Sequence, residues 1–131
     1  MHLTRLKQAQ WTIYACADSE TQCRLLDSVN SLDSNHQRKF AALVSRAAEL
    51  GPEHVAKDAC HVIEGKIWQF RAGDFRVLWF YDAGRVVICT HGFVKKKGKT
   101  PASEIRAAKS RHAAYLAAKQ RGTLTCRESA P

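Results

Sequence analysis

The sequence predicts an α+β fold with the element order β-α-α-β-β-β-α, in which helices pack on a four-stranded, mostly antiparallel sheet. Three observations lead to this prediction. Residues 66–101 contain three runs rich in aromatic and β-branched residues, separated by the short sequences AGD and DAG. Such runs with Gly and Asp between them are typical of a β-meander of two hairpins. Residues 34–50 carry an amphipathic helical pattern, and Thr100-Pro101 is typical of a helix start.

The N-terminal half predicts one strand and two helices. The run Trp11–Cys16 is aromatic and β-branched, which predicts the first strand. A Ser-x-x-Gln capping box begins at Ser19 and a second begins at Ser34, and each predicts a helix start. The second helix carries an apolar stripe, and Gly51-Pro52 ends it. The stripe consists of Phe40, Leu43, Val44, Ala47 and Ala48. We therefore expect an N-terminal αα-hairpin that covers one face of the sheet.

The C-terminal half predicts an irregular lead-in, the meander and one last helix. Residues 53–65 show no clear period, so they are expected to be irregular. Thr100 as N-cap, Pro101 in the first helical position and Glu104 in the first turn predict a helix that Gly122 stops. We expect one domain over residues 1–131, with its core at about 11–118 and a loose tail at 119–131.

Composition excludes several classes of protein. No stretch reaches the roughly 18 apolar residues of a membrane span. The first residues lack the apolar run that is typical of a secretory signal. The 5 cysteines form no C-x-x-C pair, which argues against a structural zinc site. We expect a cytoplasmic protein with no cofactor.

Charge is distributed unevenly between the two halves of the chain. Residues 1–65 have a net charge of −1 and residues 66–131 of +10, which together give the net +9 of the whole chain. The excess begins at a strand end, where Lys95, Lys96, Lys97 and Lys99 follow the last meander strand. This pattern favours a surface for a polyanion, either nucleic acid or an acidic protein, over a merely solvated basic helix.

Arg76 is an unexpected charge in a strand whose two faces are otherwise apolar. One interpretation is an ion pair with Asp74 or Asp82 at the end of the sheet. The other is a bidentate contact with a phosphate group. The sequence supports both interpretations equally.

His91 is the histidine nearest to the lysine cluster. It could transfer protons near neutral pH, although a histidine within a strand more often has a structural role. The chain has no nucleophile-elbow, Walker A or H-E-x-x-H motif, and its acidic residues form no cluster for two metal ions. The cations at this end of the sheet could stabilise a pentacovalent phosphorane, so that a ribose 2′-hydroxyl attacks without metal. The same cations would equally serve passive binding of RNA.

Three motifs in the meander resemble the phage-derived branch of the RelE/HigB toxin superfamily, which belongs to bacterial type II toxin–antitoxin systems. They are W-x-[LF]-R at Trp68–Arg71, [YF]-R-V-L-x-F-Y at Phe75–Tyr81 and G-F-V-K-K-x-x-K-T-P at Gly92–Pro101. The resemblance covers roughly residues 11–118.

The resemblance implies an mRNA interferase that cuts messages on the translating ribosome. It also implies a neighbouring antitoxin, usually a helix-turn-helix protein, that silences the toxin. The arginine of the second motif falls on Arg76, and the basic residue after the last strand falls on Lys95 or Lys96. The expected catalytic residues are Arg71, Arg76, His91 and Lys96. The expected RNA-binding residues are Lys95, Lys96, Lys97, Lys99 and Arg106.

Two other functions remain open at the level of the sequence. A toxin similar to ParE would block DNA gyrase by binding, without catalysis, and a degenerate relative would bind only RNA or its antitoxin. The arginines and the KKKGK run favour the nuclease, because a gyrase blocker needs no cage of arginines around a phosphate.

Overall fold

The computed structural model describes residues 1–128 and contains seven strands and three α-helices in that range. The strands are β1 (His2–Gln8), β2 (Thr12–Ala17), β3 (Cys60–Glu64), β4 (Ile67–Ala72), β5 (Phe75–Asp82), β6 (Val86–Val94) and β7 (Thr125–Glu128). The helices are α1 (Arg24–Asn30), α2 (Ser34–Leu50) and α3 (Ala102–Arg121), and a short 3-10 helix covers Pro52–His54.

All seven strands join one mixed sheet in the order β3-β4-β5-β6-β2-β1-β7. The pairs β3–β4, β4–β5, β5–β6 and β1–β2 are antiparallel, whereas β2–β6 and β1–β7 are parallel. The fold is α+β, but the predicted four-stranded sheet and its element order are wrong. The chain begins with two strands where one was predicted, so α1 and α2 follow a pair of strands and do not form the expected N-terminal αα-hairpin on a four-stranded sheet.

Three strands were not predicted, because their sequences carry no clear alternation of apolar and polar residues. Strand β1 (HLTRLKQ) precedes the predicted core, and β3 (CHVIE) lies in the segment that was expected to be irregular. Strand β7 (TCRE) lies in the expected loose tail and pairs with β1. Residues 119–121 of the expected tail belong to α3, which ends before Gly122 as predicted. The rest of the expected tail, 129–131, lies outside the described residues.

The helices cover opposite faces of the sheet, because alternate residues of β5 contact different helices. Phe75, Val77 and Trp79 join a buried cluster with the predicted stripe of α2, whose five residues are all buried as expected. On the other face, Leu78 packs with Ala108 of α3 and Phe80 packs with Tyr115 of α3. Six consecutive residues of β5 are buried, so the prediction of a central strand is confirmed.

Within residues 1–128, α2 is the α-helix that has a side-chain cap at its start. Cys23 is the N-cap of α1 and Pro101 is the N-cap of α3, both without a side-chain hydrogen bond, so the predicted caps Ser19 and Thr100 are wrong. Asp33, not the predicted Ser34, caps α2 by accepting a hydrogen bond from the His36 backbone N–H. Gly51 ends α2 and Gly122 ends α3, both as predicted. No helix within residues 1–128 is long and apolar enough to cross a membrane.

Candidate functional site

A cleft of about 510 Å³ opens between β3, β4, the start of β5, the loop that precedes α3 and the start of α3. Its volume falls within the range of small-ligand sites. We call it the arginine cleft. Its lining residues are His61, Ile63, Glu64, Gln69, Arg71, Arg76, Gly98, Lys99, Thr100 and Ile105. The cleft lies on the sheet face that α3 covers, because Gln69 and Arg71 alternate with the core residues Trp68 and Phe70 on β4.

Arg76 is the deepest charged group of the arginine cleft, with only 2% of the residue exposed. Its Nη1 donates a hydrogen bond to the backbone oxygen of Gly98 at 3.0 Å. Its Nε and Nη2 are buried and have no partner within residues 1–128. Burial lowers the pKa of Arg76, the charge of Arg71 lowers it further, and Asp74 opposes both effects. Two guanidinium nitrogens are therefore left without a hydrogen-bond partner in the described chain.

The structure argues against the ion-pair interpretation of Arg76. Neither Asp74 nor Asp82 lies within salt-bridge distance of the guanidinium in the described part of the chain. The Asp82 carboxylate instead accepts hydrogen bonds from Tyr115 and Lys119 of α3. A buried arginine whose protein contact is a single carbonyl oxygen is typical of a site that receives an anionic ligand.

Arg71 lies directly opposite Arg76 in the β4–β5 register. Its Nε donates to the Gly73 oxygen and its Nη2 to the Lys96 oxygen, both at 3.1 Å. Both arginines therefore hold backbone carbonyls of the surrounding loops, and neither has a carboxylate partner among the described side chains. Two positive charges on opposed residues repel one another, and a bound phosphate would relieve that repulsion.

The β4–β5 turn that holds Arg71 is itself fixed by α2. His36 accepts a hydrogen bond from the Asp74 backbone N–H through Nε2 at 3.3 Å, while its Nδ1 contacts the Asp33 carboxylate at 2.9 Å. Gly73 has φ +63°, and a Cβ at this position would lie 2.8 Å from His36 Nε2. The Asp74 oxygen in turn accepts from the Lys95 N–H at 2.9 Å. One turn thus positions both Arg71 and the start of residues 95–101, which connect β6 to α3 and which we call the basic loop.

The predicted RNA-binding residues lie at the cleft or on the exposed surface. Lys99 lines the arginine cleft, whereas the side chains of Lys96, Lys97 and Arg106 are exposed and Lys95 is half-buried. Gly98, with φ +92°, turns the basic loop so that its carbonyl meets Arg76. The loop therefore contributes both a structural carbonyl and a row of cations.

His91 lies in a second pocket, which we call the His91 pocket, with Arg24, Ser28, Gly92, Glu104, Ala107 and Arg111. Its Nε2 is 3.4 Å from Glu104 Oε1, and its Nδ1 is 3.0 Å from Thr90 Oγ1. Burial lowers the pKa of His91, the charge of Arg111 lowers it further, and Glu104 opposes both effects. His91 does not line the arginine cleft, so the structure does not bring it together with Arg71 and Arg76.

Sequence reasoning missed four polar residues of the arginine cleft. Glu64 forms an ion pair with Lys109 of α3, and Thr100 was considered only as a helix cap. His61 faces Gln69 across the β3–β4 pair, which no sequence pattern predicted. Gln69 could have been found, because strand alternation places it on the same side of β4 as Arg71. In residues 1–128, no group of three or more His, Cys, Asp or Glu side chains could hold a metal ion.

The central two thirds of the chain match the model of a known protein family. The model of a family described as phage-derived protein Gp49-like matches residues 27–113. The match includes Arg71, Arg76 and the whole basic loop, and it leaves out β1, β2 and β7. The chain matches none of the curated proteins.

Proposed function

This chain belongs to the phage-derived Gp49-like family, and on that premise we propose that it is the toxin of a type II toxin–antitoxin pair and cuts messenger RNA on the ribosome. The family is associated with toxins of such pairs. Its RelE/HigB character, its endoribonuclease activity and its action on translating ribosomes are our proposals.

The observation that carries the proposal is the buried guanidinium of Arg76. It keeps two nitrogens without a partner in the described chain and lies opposite Arg71 in a cleft bordered by Lys99. A phosphorane carries more negative charge than the phosphate diester from which it forms. Preorganised donors that meet this added charge stabilise the transition state more than the ground state.

The proposed reaction needs no metal ion. The ribose 2′-oxygen forms a bond to phosphorus, the bond from phosphorus to the 5′-oxygen breaks, and the products are a 2′,3′-cyclic phosphate and a 5′-hydroxyl. The 2′-hydroxyl gives up its proton, and the leaving 5′-oxygen takes up a proton from solvent. His61 is the imidazole that lines the arginine cleft, so it is our candidate for the proton acceptor.

The proposed partner is a small antitoxin that brings carboxylates to the arginine cleft, in keeping with the +10 charge of residues 66–131. A helix-turn-helix protein encoded next to the toxin is the partner that we expect. Co-expression of the neighbouring reading frame, with a tag on one protein, should yield a complex that survives moderate salt. Separate elution without rescue of growth would contradict the toxin–antitoxin pairing.

Sequencing of message ends after brief induction tests the catalytic part of the proposal. We expect new ends spaced by codons within translated regions, and we expect none with Arg76→Ala as the matched control. Intact messages with arrested DNA supercoiling would instead identify a gyrase poison. Intact messages with normal supercoiling would identify a protein that only binds.

A further inference from the structure

Gln69 is a buried amide on the floor of the arginine cleft. Only 2% of the residue is exposed, and its neighbours across the sheet are His61 on β3 and Leu78 on β5. A buried amide is costly unless its polar atoms are hydrogen-bonded. Its place two residues before Arg71 puts it beside the proposed phosphate site and on the same face of β4.

Thr100 fixes the orientation of this amide. The Thr100 hydroxyl donates a hydrogen bond to Gln69 Oε1 at 2.6 Å. Thr100 itself is held between Gly98, whose oxygen binds Arg76, and Pro101, which precedes α3. Because the oxygen is engaged by Thr100, the amide nitrogen is the atom that Gln69 offers to the cleft.

Two apolar walls of the arginine cleft suit a nucleobase better than a second phosphate. Ile63 and Ile105 line the same cleft, and both are partly buried apolar side chains. A flat base ring gains from contact with such walls, whereas a phosphate would lose its water there without compensation. The phosphate already has donors in Arg71 and Arg76.

We propose that Gln69, oriented by Thr100, selects a nucleotide with a keto oxygen on its base, guanine or uracil, next to the phosphate held by Arg71 and Arg76. An N–H donor pairs with the O6 of guanine or the O4 of uracil. Adenine and cytosine carry an amino group at the equivalent position, and that group would meet the amide N–H donor to donor. The inference rests on the proposed function, because it places RNA in the arginine cleft.

Binding of the four ribonucleoside 3′-monophosphates to the purified protein, measured by calorimetry, tests this selection without requiring cleavage. We expect the guanosine and uridine nucleotides to bind about tenfold more tightly than the adenosine and cytidine nucleotides, since one hydrogen bond is formed and one clash avoided. Equal binding of the four, preference for amino bases, or no binding of any would overturn the proposal.

Two variants separate base selection from a structural role of the amide. Gln69→Met keeps the length of the side chain and removes the donor, so the keto preference should disappear while phosphate-dependent binding remains. Thr100→Val has nearly the same shape but frees the amide to rotate, so the preference should fall to less than about threefold. Thr100→Ser retains the hydroxyl and should behave as the parent. A preference that survives in Gln69→Met, with all four nucleotides weakened equally, would show that Gln69 does not contact the base.

The same experiment separates this inference from the proposed function. If the nucleotides bind with the keto preference but no message is cut in cells, the nuclease assignment fails and the selection by Gln69 stands. If messages are cut but the four nucleotides bind equally, the nuclease assignment stands and the selection fails.

Discussion

The arginine cleft and the His91 pocket both include residues of the first half of α3. They differ in whether a carboxylate lies near the buried nitrogen atoms. In the arginine cleft, Arg71 and Arg76 contact backbone oxygens and no carboxylate of the described chain. In the His91 pocket, the imidazole Nδ1 contacts the Thr90 hydroxyl, and Nε2, which also has no hydrogen-bond partner within residues 1–128, lies 3.4 Å from the Glu104 carboxylate. The His91 pocket therefore contains a counter-charge, and the arginine cleft has none in contact with its arginines among the described residues. A buried charge without a counter-charge costs stability, so a protein retains it where a ligand supplies the missing charge. The difference favours the arginines as the anion site that we propose.

The largest expected effect is that of Arg76→Ala. In the reaction that we propose, it removes donors that meet the charge of the transition state, so the cleavage rate should fall on the order of 100-fold or more, and toxicity should be lost. His91→Gln, in the other pocket, should keep the rate within about threefold of the parent. Cleavage of a defined message by purified protein, with circular dichroism to verify folding, gives both rates. A folded Arg76→Ala protein that still arrests growth would make Arg76 structural.

A smaller effect is expected when the basic loop is neutralised. Replacement of Lys95, Lys96 and Lys97 by Gln removes cations that neutralise phosphates, so fewer counterions are released on binding. The slope of the logarithm of RNA affinity against the logarithm of salt concentration should become shallower by up to about 0.7 for each phosphate that a lysine no longer neutralises. Arg24→Gln, which removes a cation of the His91 pocket, is the matched control and should leave the slope unchanged. An unchanged slope in the triple variant would place these lysines outside the interface.

The sequence predicted those features of the arginine cleft that depend on a local pattern of residues. Gly and Asp between apolar runs predicted the hairpin that sets Arg71 opposite Arg76, and the apolar faces of β5 predicted its central place. Strand β3 could not be predicted, because CHVIE becomes a strand only by pairing with β4. Strand β7 pairs with β1 across more than 120 residues, a pairing that no local pattern records. His61 lies on β3 and lines the cleft, so it was missed because β3 was not predicted.

A substitution in the β4–β5 turn should weaken the arginine cleft without changing a residue that lines it. Gly73→Ala places a Cβ 2.8 Å from His36 Nε2 and also strains a backbone with positive φ. The strain should cost roughly 1 kcal/mol of unfolding free energy, and the clash should add to it. Gly65→Ala is the matched control, because Gly65 has φ +57° and nothing within 4 Å of its added Cβ. Urea denaturation should show the larger loss for Gly73→Ala, with weaker phosphate binding, because the Gly73 oxygen holds Arg71. Equal losses and unchanged binding in both variants would contradict this role of the turn.

The smallest expected effect concerns protons in the His91 pocket. Burial lowers the pKa of His91 in the folded protein, and the charge of Arg111 acts in the same direction. As the pH falls through about 6.5, the unfolded chain therefore binds a proton that the folded chain still refuses, so acid favours unfolding until the pH reaches the folded pKa. The pKa of His112 is also lowered by burial, so it contributes with the same sign.

Thermal unfolding of the parent and of His91→Gln at pH 7.5 and pH 5.5 measures the share of His91. The parent should lose stability over this interval, and His91→Gln should lose less, because the amide cannot take up the proton. If the thermal stability of His91→Gln falls as steeply with pH as that of the parent, the acid sensitivity belongs to His112 or to another group and not to His91.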